Sequence, residues 1–253
     1  MPSATLARSI LLEARRGGLP WLAGASLVAA LALAAFLSQV ALTERVALQV
    51  ALAAAVLRGC AVFLIAAQVA SSTLREIHDK GLELTLSLPL SRATHYLGRL
   101  AGFVACGAGI ALVFSLALLF WAAPPRVALW GASLVCEVAL VAAAALFFAM
   151  TLSNLVAAMA ATAGLYLLAR AMPAIQAITA APLADESWAG WLARQTVDAI
   201  ALLLPRLDAA TRTEWLLYDA PSTLGYASAL AGLVIYALLL AAAGLADFYR
   251  RNV

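Results

Sequence analysis

Two charges in this chain stand where a charge is expensive. Arg58 and Glu137 each lie inside a long apolar run, within Ala-Ala-Val-Leu-Arg-Gly-Cys and Ser-Leu-Val-Cys-Glu-Val-Ala. An arginine at the middle of a bilayer costs about 2.5–3.5 kcal/mol on insertion scales, so each side chain should turn toward protein or water and seek an opposite charge. At about 1.5 Å per residue from the outer ends of their runs, both fall roughly 15–18 Å down. Equal depth leaves three roles open: a structural ion pair, a place on a translocation path, and a pair that meets across a dimer.

Other chemistry is thin. The single lysine, Lys80, is followed by Gly81 and Leu82, so the chain has no phosphate loop ending in Gly-Lys-Ser/Thr and is not expected to hydrolyse nucleotide by itself. His78 and His95 have no carboxylate or cysteine at zinc spacing, which leaves no metal site to expect. Cys60, Cys106 and Cys136 sit singly in apolar stretches and read as small buried side chains. No Gly-x-Ser-x-Gly elbow is present. Sixteen basic residues against thirteen acidic ones give +3, but the arginines are scattered rather than patched, which argues against nucleic acid. By this reading the chain is not an enzyme on its own and binds no cofactor.

The elements that carry these residues follow from composition. The 253 residues are 65% hydrophobic and 11% charged, with a mean hydropathy of +0.98. Soluble domains run near a quarter charged, and so few charges could not cover this much apolar surface in water. The expected fold is an all-α membrane protein forming one transmembrane domain over 1–253. Spans are predicted at about 19–40, 46–70, 97–122, 127–150, 155–172 and 224–246, each close to the ~20 residues that a roughly 30 Å core needs. Between the fourth and fifth, Thr151, Ser153 and Asn154 mark a tight turn, because a continuous run from 127 to 172 is too long for one crossing. The run from Leu19 to Val40 is too long for the apolar part of a signal peptide and is read as a retained first span.

Before it, residues 4–16 place Leu6, Ala7, Ile10, Leu11 and Ala14 on one half of a helix, with Arg8, Ser9, Glu13, Arg15 and Arg16 on the other. Leu12 is out of pattern. This is a basic amphipathic helix of the kind that lies among lipid headgroups, with Gly17, Gly18 and Pro20 turning the chain into the membrane. Arginine and lysine set the orientation: Arg8, Arg15, Arg16, Arg75, Lys80, Arg92, Arg99, Arg250 and Arg251 fall on one side, with only Arg45 and Arg126 in the short turns of the other. The positive-inside rule then places both termini in the cytoplasm of a multi-pass protein of the inner membrane.

The inner segment, 71–96, holds the most pointed motif. The second span continues as Ser-Ser-Thr-Leu-Arg-Glu-Ile-His-Asp-Lys to Gly81, a residue type that commonly ends helices. Leu82, Leu84, Leu86 and Leu88 then alternate with Glu83, Thr85 and Ser87. Pro89 breaks the segment, and Ser91 is placed to cap the third span. Periodicity leaves 82–88 open between strand and helix. Four leucines in seven residues held outside the membrane need a protein partner to bury them.

The string Arg75-Glu76, Lys80 to Leu84, Ser87 to Arg92 and Gly98-Arg99 resembles the first cytoplasmic loop of permease subunits of type-2 ATP-binding-cassette exporters. The layout is similar too, from the amphipathic N-terminal helix to the short basic tail. The resemblance implies that the segment after Gly81 is a short coupling helix docked in a separate ATP-binding-cassette subunit. It also implies that ATP and Mg are bound by that partner, and that Glu76, Gly81, Leu82, Glu83, Leu84, Leu86, Leu88, Pro89 and Arg92 form the contact. A second permease copy is implied as well, since such exporters use twelve spans and this chain supplies six.

The outer segment, 173–223, carries Asp185, Glu186, Asp198, Asp208, Glu214 and Asp219 with Trp188, Trp191 and Trp215. Its tryptophans predict one or two helices along the outer interface, in contact with membrane lipid. Leu204-Pro205-Arg206-Leu207-Asp208 followed by Trp215-Leu216-Leu217-Tyr218 is similar to the outer loop of relatives that help build the copper centre of nitrous oxide reductase, which would add a periplasmic protein as a partner. Two other classes remain: a secondary transporter, for which only Arg58 and Glu137 speak, and a membrane enzyme or assembly factor without transport.

Overall fold

The computed structural model describes residues 2–40, 45–79, 91–179, 188–212, 214–217 and 222–250. Helix α1 (Pro2–Arg16) ends at Gly17-Gly18, where Gly18 takes φ 87°, a left-handed angle that a side chain would resist. The chain turns there into α2 (Leu19–Val40). Helices α3 (Arg45–His78), α4 (Arg92–Leu118), α5 (Pro124–Leu152), α6 (Leu155–Thr179) and α10 (Thr223–Arg250) are the remaining long elements. Between α6 and α10 lie α7 (Trp188–Leu203), α8 (Leu207–Ala210) and α9 (Glu214–Leu217).

Among the described residues, six helices (α2, α3, α4, α5, α6 and α10) are long and apolar enough to cross a membrane, and none of these residues forms a strand. This is an all-α, multi-pass membrane protein. Successive helices alternate in direction, so one end of the bundle, the α1 side, gathers α1, the far end of α3, the start of α4, the α5–α6 turn and the end of α10. The opposite side carries α7, α8 and α9.

The ends of these helices follow local chemistry. Ser91 caps α4 as its sequence position predicts, its Oγ accepting from Thr94 N–H at 3.2 Å. Pro124 and Pro125 open α5, where a missing N–H costs nothing. The α5–α6 turn is two residues long. Ser153 adopts φ 50°, and the Asn154 side chain accepts from Val156 N–H at 2.9 Å and Ala157 N–H at 3.2 Å, capping α6.

Helix α4 begins at Arg92, behind the Ser91 cap, and α3 runs past residue 70 to His78, both as the inner segment predicts; at 34 residues or about 51 Å, α3 overshoots a roughly 30 Å core by several turns. Helix α6 departs from expectation: it does not stop at Met172 but carries Pro173 in its interior to Thr179. In lipid there is no water to receive freed backbone groups, and neighbouring helices make an interior proline tolerable.

Helix α5 is the centre of the bundle, with Leu134, Ala142, Ala145, Leu146 and Ala149 fully enclosed between α3, α4, α6 and α10. It packs tightly on α4 at Gly107, where a Cβ would collide with Val138. Helix α1 packs on α4 through Ile10 and Ala14. Leu11, expected on the same apolar half, is 43% exposed, because the strip facing protein is narrower than the apolar half itself.

On the opposite side, α7 folds back on the extension of α6. Arg194 caps its C-terminus, donating from Nη2 to Thr179 O at 3.0 Å, and Gln176 donates to Asp198 Oδ1 at 3.0 Å. Trp188 and Trp191 are left outward, 77% and 62% exposed. Trp215 is half-buried against Tyr226. The outer segment thus holds three helical pieces among its described residues, where one or two were expected. Asp185, Glu186, Tyr218 and Asp219 lie outside the described residues.

Candidate functional site

Arg58 and Glu137 meet. The guanidinium on α3 and the carboxylate on α5 form an ion pair through Arg58 Nη1 and Glu137 Oε2, with the two residues 2% and 0% exposed. Both stand thirteen residues from the opposite-side ends of their helices, which places them at matching depth. Arg58 Nη2 also donates to Ser133 Oγ at 3.1 Å, one turn before Glu137, and the guanidinium lies 5.2 Å from the centre of the Trp130 ring. The pair therefore forms within one chain, and the arrangement across a dimer is not needed to satisfy it.

The other carboxylate oxygen is engaged from α6. Tyr166 Oη donates to Glu137 Oε1 at 2.9 Å, and Arg170 Nη1 lies 3.9 Å from the same atom. Arg170 donates in addition to Thr211 Oγ1 at 2.9 Å, beside α8. Glu137 is thus the hub of a cluster with Arg58, Tyr166 and Arg170, and the two arginines leave it one positive charge in excess. Such a hub can lock three helices together, and its outer member, partly exposed Arg170, is placed to meet an anion from the opposite side.

Sequence reasoning did not place Arg170 or Tyr166 here. In a fifth span that ends at 172, Arg170 stands only two residues from the end. Carried through Pro173 to Thr179, the helix puts it about 14 Å below its end. Tyr166 and Arg170 are four apart, hence on one helix face, and that spacing was the available signal.

A second polar cluster braces the α1 side. Glu76 pairs with Arg99 through Oε2 and Nη1, and His95 Nε2 lies 3.5 Å from Glu76 Oε1. Arg99 Nη2 donates to Thr73 Oγ1 at 3.3 Å, and Ser72 Oγ donates to Glu13 Oε2 of α1 at 3.1 Å. Arg92 Nη1 reaches Phe248 O at 3.4 Å and its guanidinium lies 6.0 Å from the Phe248 ring. Thr151 Oγ1 reaches Asp247 Oδ2 at 3.2 Å. Five helices, α1, α3, α4, α5 and α10, are tied together at this end.

Of the residues expected to touch a partner subunit, Glu76 and Arg92 are engaged within the chain, Glu76 by Arg99 and Arg92 by α10. Gly81, Leu82, Glu83, Leu84, Leu86, Leu88 and Pro89 lie outside the described residues. Glu13, on the polar half of the amphipathic helix, bridges α1 to α3. Among the described residues, no group of three His, Cys, Asp or Glu side chains could hold a metal ion.

No protein-family model matches the chain, and no curated protein matches it.

Proposed function

We propose that this chain is the permease subunit of an ATP-driven exporter in the cytoplasmic membrane, with both termini inside. It works as a half-transporter that pairs with a second copy and with separate ATP-binding-cassette subunits. The observation that carries the reading is the brace at the α1 side. Helix α3 projects beyond a bilayer's thickness, α4 starts immediately after Ser91, and the Glu76–Arg99 pair clamps the two helices that flank the leucine-rich segment. A force applied to that segment passes at once to α1, α3, α4 and α10, which is what a coupling element requires. ATP and Mg belong to the partner in this reading.

Co-expression with a separately encoded ATPase tests it. The two subunits should co-purify with two copies of this chain per complex, and Leu84→Asp or Leu86→Asp should release the ATPase while membrane insertion is kept. Co-purification unchanged by both substitutions, or a complex with one copy of the chain, defeats the proposal.

A secondary transporter is the second reading, favoured by the buried cluster of Arg58, Glu137, Tyr166 and Arg170. It requires substrate movement in proteoliposomes that hold this chain alone.

A further inference from the structure

A groove of about 830 Å3 opens between the α1–α2 elbow and the face of α3, closed at one side by the start of α6. That volume is in the range of small-ligand sites, roughly 300–1,000 Å3. Its lining is divided along its length. Arg16, the last residue of α1, and Arg75, on the projecting end of α3, stand at its α1-side rim. Both are exposed, and neither guanidinium has an ion pair or hydrogen bond among the described residues. Glu13, the acid on the lining, is turned to α3 by its bond with Ser72. Deeper in, the wall is Leu22, Phe63, Leu64 and Met159, with Phe63 62% exposed. From Arg75 to Phe63 is twelve residues of α3, about 18 Å, close to the depth of one leaflet of a roughly 30 Å core.

We propose that this groove binds an anionic glycerophospholipid of the α1-side leaflet, its phosphate held between Arg16 and Arg75 and an acyl chain laid along Leu22, Phe63 and Met159. Two unpaired arginines at headgroup level call for an anion, and an apolar floor one leaflet deep calls for a chain attached to it. A free phosphate satisfies the first and not the second. The site depends only on the α1–α2 elbow and α3, and stands whether or not the chain is an exporter subunit.

The test is lipid titration of the purified protein in neutral detergent, read by native mass spectrometry, with phosphatidylglycerol and phosphatidylcholine of identical chains. One phosphatidylglycerol per chain should bind at concentrations where phosphatidylcholine does not. Arg16→Gln and Arg75→Gln should each weaken it about fivefold, the equivalent of about 1 kcal/mol per basic residue at a membrane surface. Arg15→Gln, exposed on the same helix and away from the groove, should leave binding unchanged. Leu22→Trp, which fills the groove from an exposed position, should weaken binding of both lipids. Displacement by millimolar inorganic phosphate together with an unaffected Leu22→Trp protein would make the site a bare anion site and overturn the proposal. Equal binding of the two lipids, or equal effects of Arg15→Gln and Arg16→Gln, would overturn it as well. Should an arginine variant fail to give a monodisperse protein, the motionally restricted fraction of spin-labelled phosphatidylglycerol on the unaltered chain decides the matter: a fraction no larger than for phosphatidylcholine refutes the site.

Discussion

Arg170 Nη1 stands 3.9 Å from Glu137 Oε1 while Arg58 holds the other oxygen, so one carboxylate on α5 is shared by bases from α6 and α3. The sharing is unequal. Arg58 is enclosed and has no other acid among the described residues, whereas the Arg170 side chain is 39% exposed and also donates to Thr211.

Removing the hub should therefore cost more than removing either spoke. Glu137→Gln leaves Arg58 buried without a counter-charge and should destabilise the fold by about 3–5 kcal/mol. Arg58→Gln leaves Glu137 with Arg170 and Tyr166 and should cost about 1–3 kcal/mol. Thermal unfolding in detergent checks the order, and a double mutant that recovers toward the unaltered protein marks a structural pair. A double mutant that folds but no longer transports marks a pathway role, and two single mutants that fold and work normally exclude both.

In the Glu76–Arg99 pair the acid is partly exposed but the base is enclosed, Arg99 being 4% exposed. Glu76→Arg and Arg99→Glu each set like charges together at a buried site and should cost about 3–5 kcal/mol, with the exchanged pair recovering most of the loss. Under the exporter reading each change uncouples ATP turnover from transport without releasing the ATPase, and the exchanged pair restores coupling. Restoration by neither arrangement would show that the clamp carries no force.

Helix α4 offers a paired steric test two residues apart. Gly107→Val drives side-chain atoms into Val138 and should cost about 1–3 kcal/mol. At Gly109 a Cβ meets nothing within 4 Å, and Gly109→Val should leave the melting temperature nearly unchanged. Equal melting temperatures for the two variants would contradict the observed α4–α5 approach.

Trp188 and Trp191 are turned away from the bundle, in the manner of residues that sit at the membrane–water boundary. In liposomes, a quencher on the lipid headgroups should dim single-tryptophan variants retaining either residue. Fully aqueous emission without quenching would instead make α7 part of a cap that projects into water.

Much of this architecture is legible in the chain, for reasons that differ by element. The six spans follow from apolar length alone, and the α5–α6 turn from the impossibility of a single longer crossing. The Ser91 cap follows from a hydroxyl placed just past Pro89. The depth match of Arg58 and Glu137 also follows from counting, since helical rise is nearly constant. Arg170 was missed because the expected span stops at 172, whereas a proline inside a membrane helix is tolerated where neighbouring helices re-satisfy the freed backbone. The role of Glu13 was missed because amphipathic periodicity sorts residues into two halves, and a helix packed edgewise can use its polar half to reach a neighbour.

The two-residue link at Ser153-Asn154 bears on how the protein is made. Between Arg126 and Arg170 the only charged residue is Glu137, so the turn offers no basic residue by which the positive-inside rule could orient it. Helices α5 and α6 must then enter the bilayer as one hairpin, the second drawn in by its short tether to the first. The orientation of that hairpin during synthesis is inherited from the arginines before it, above all Arg92 and Arg99 at the head of α4.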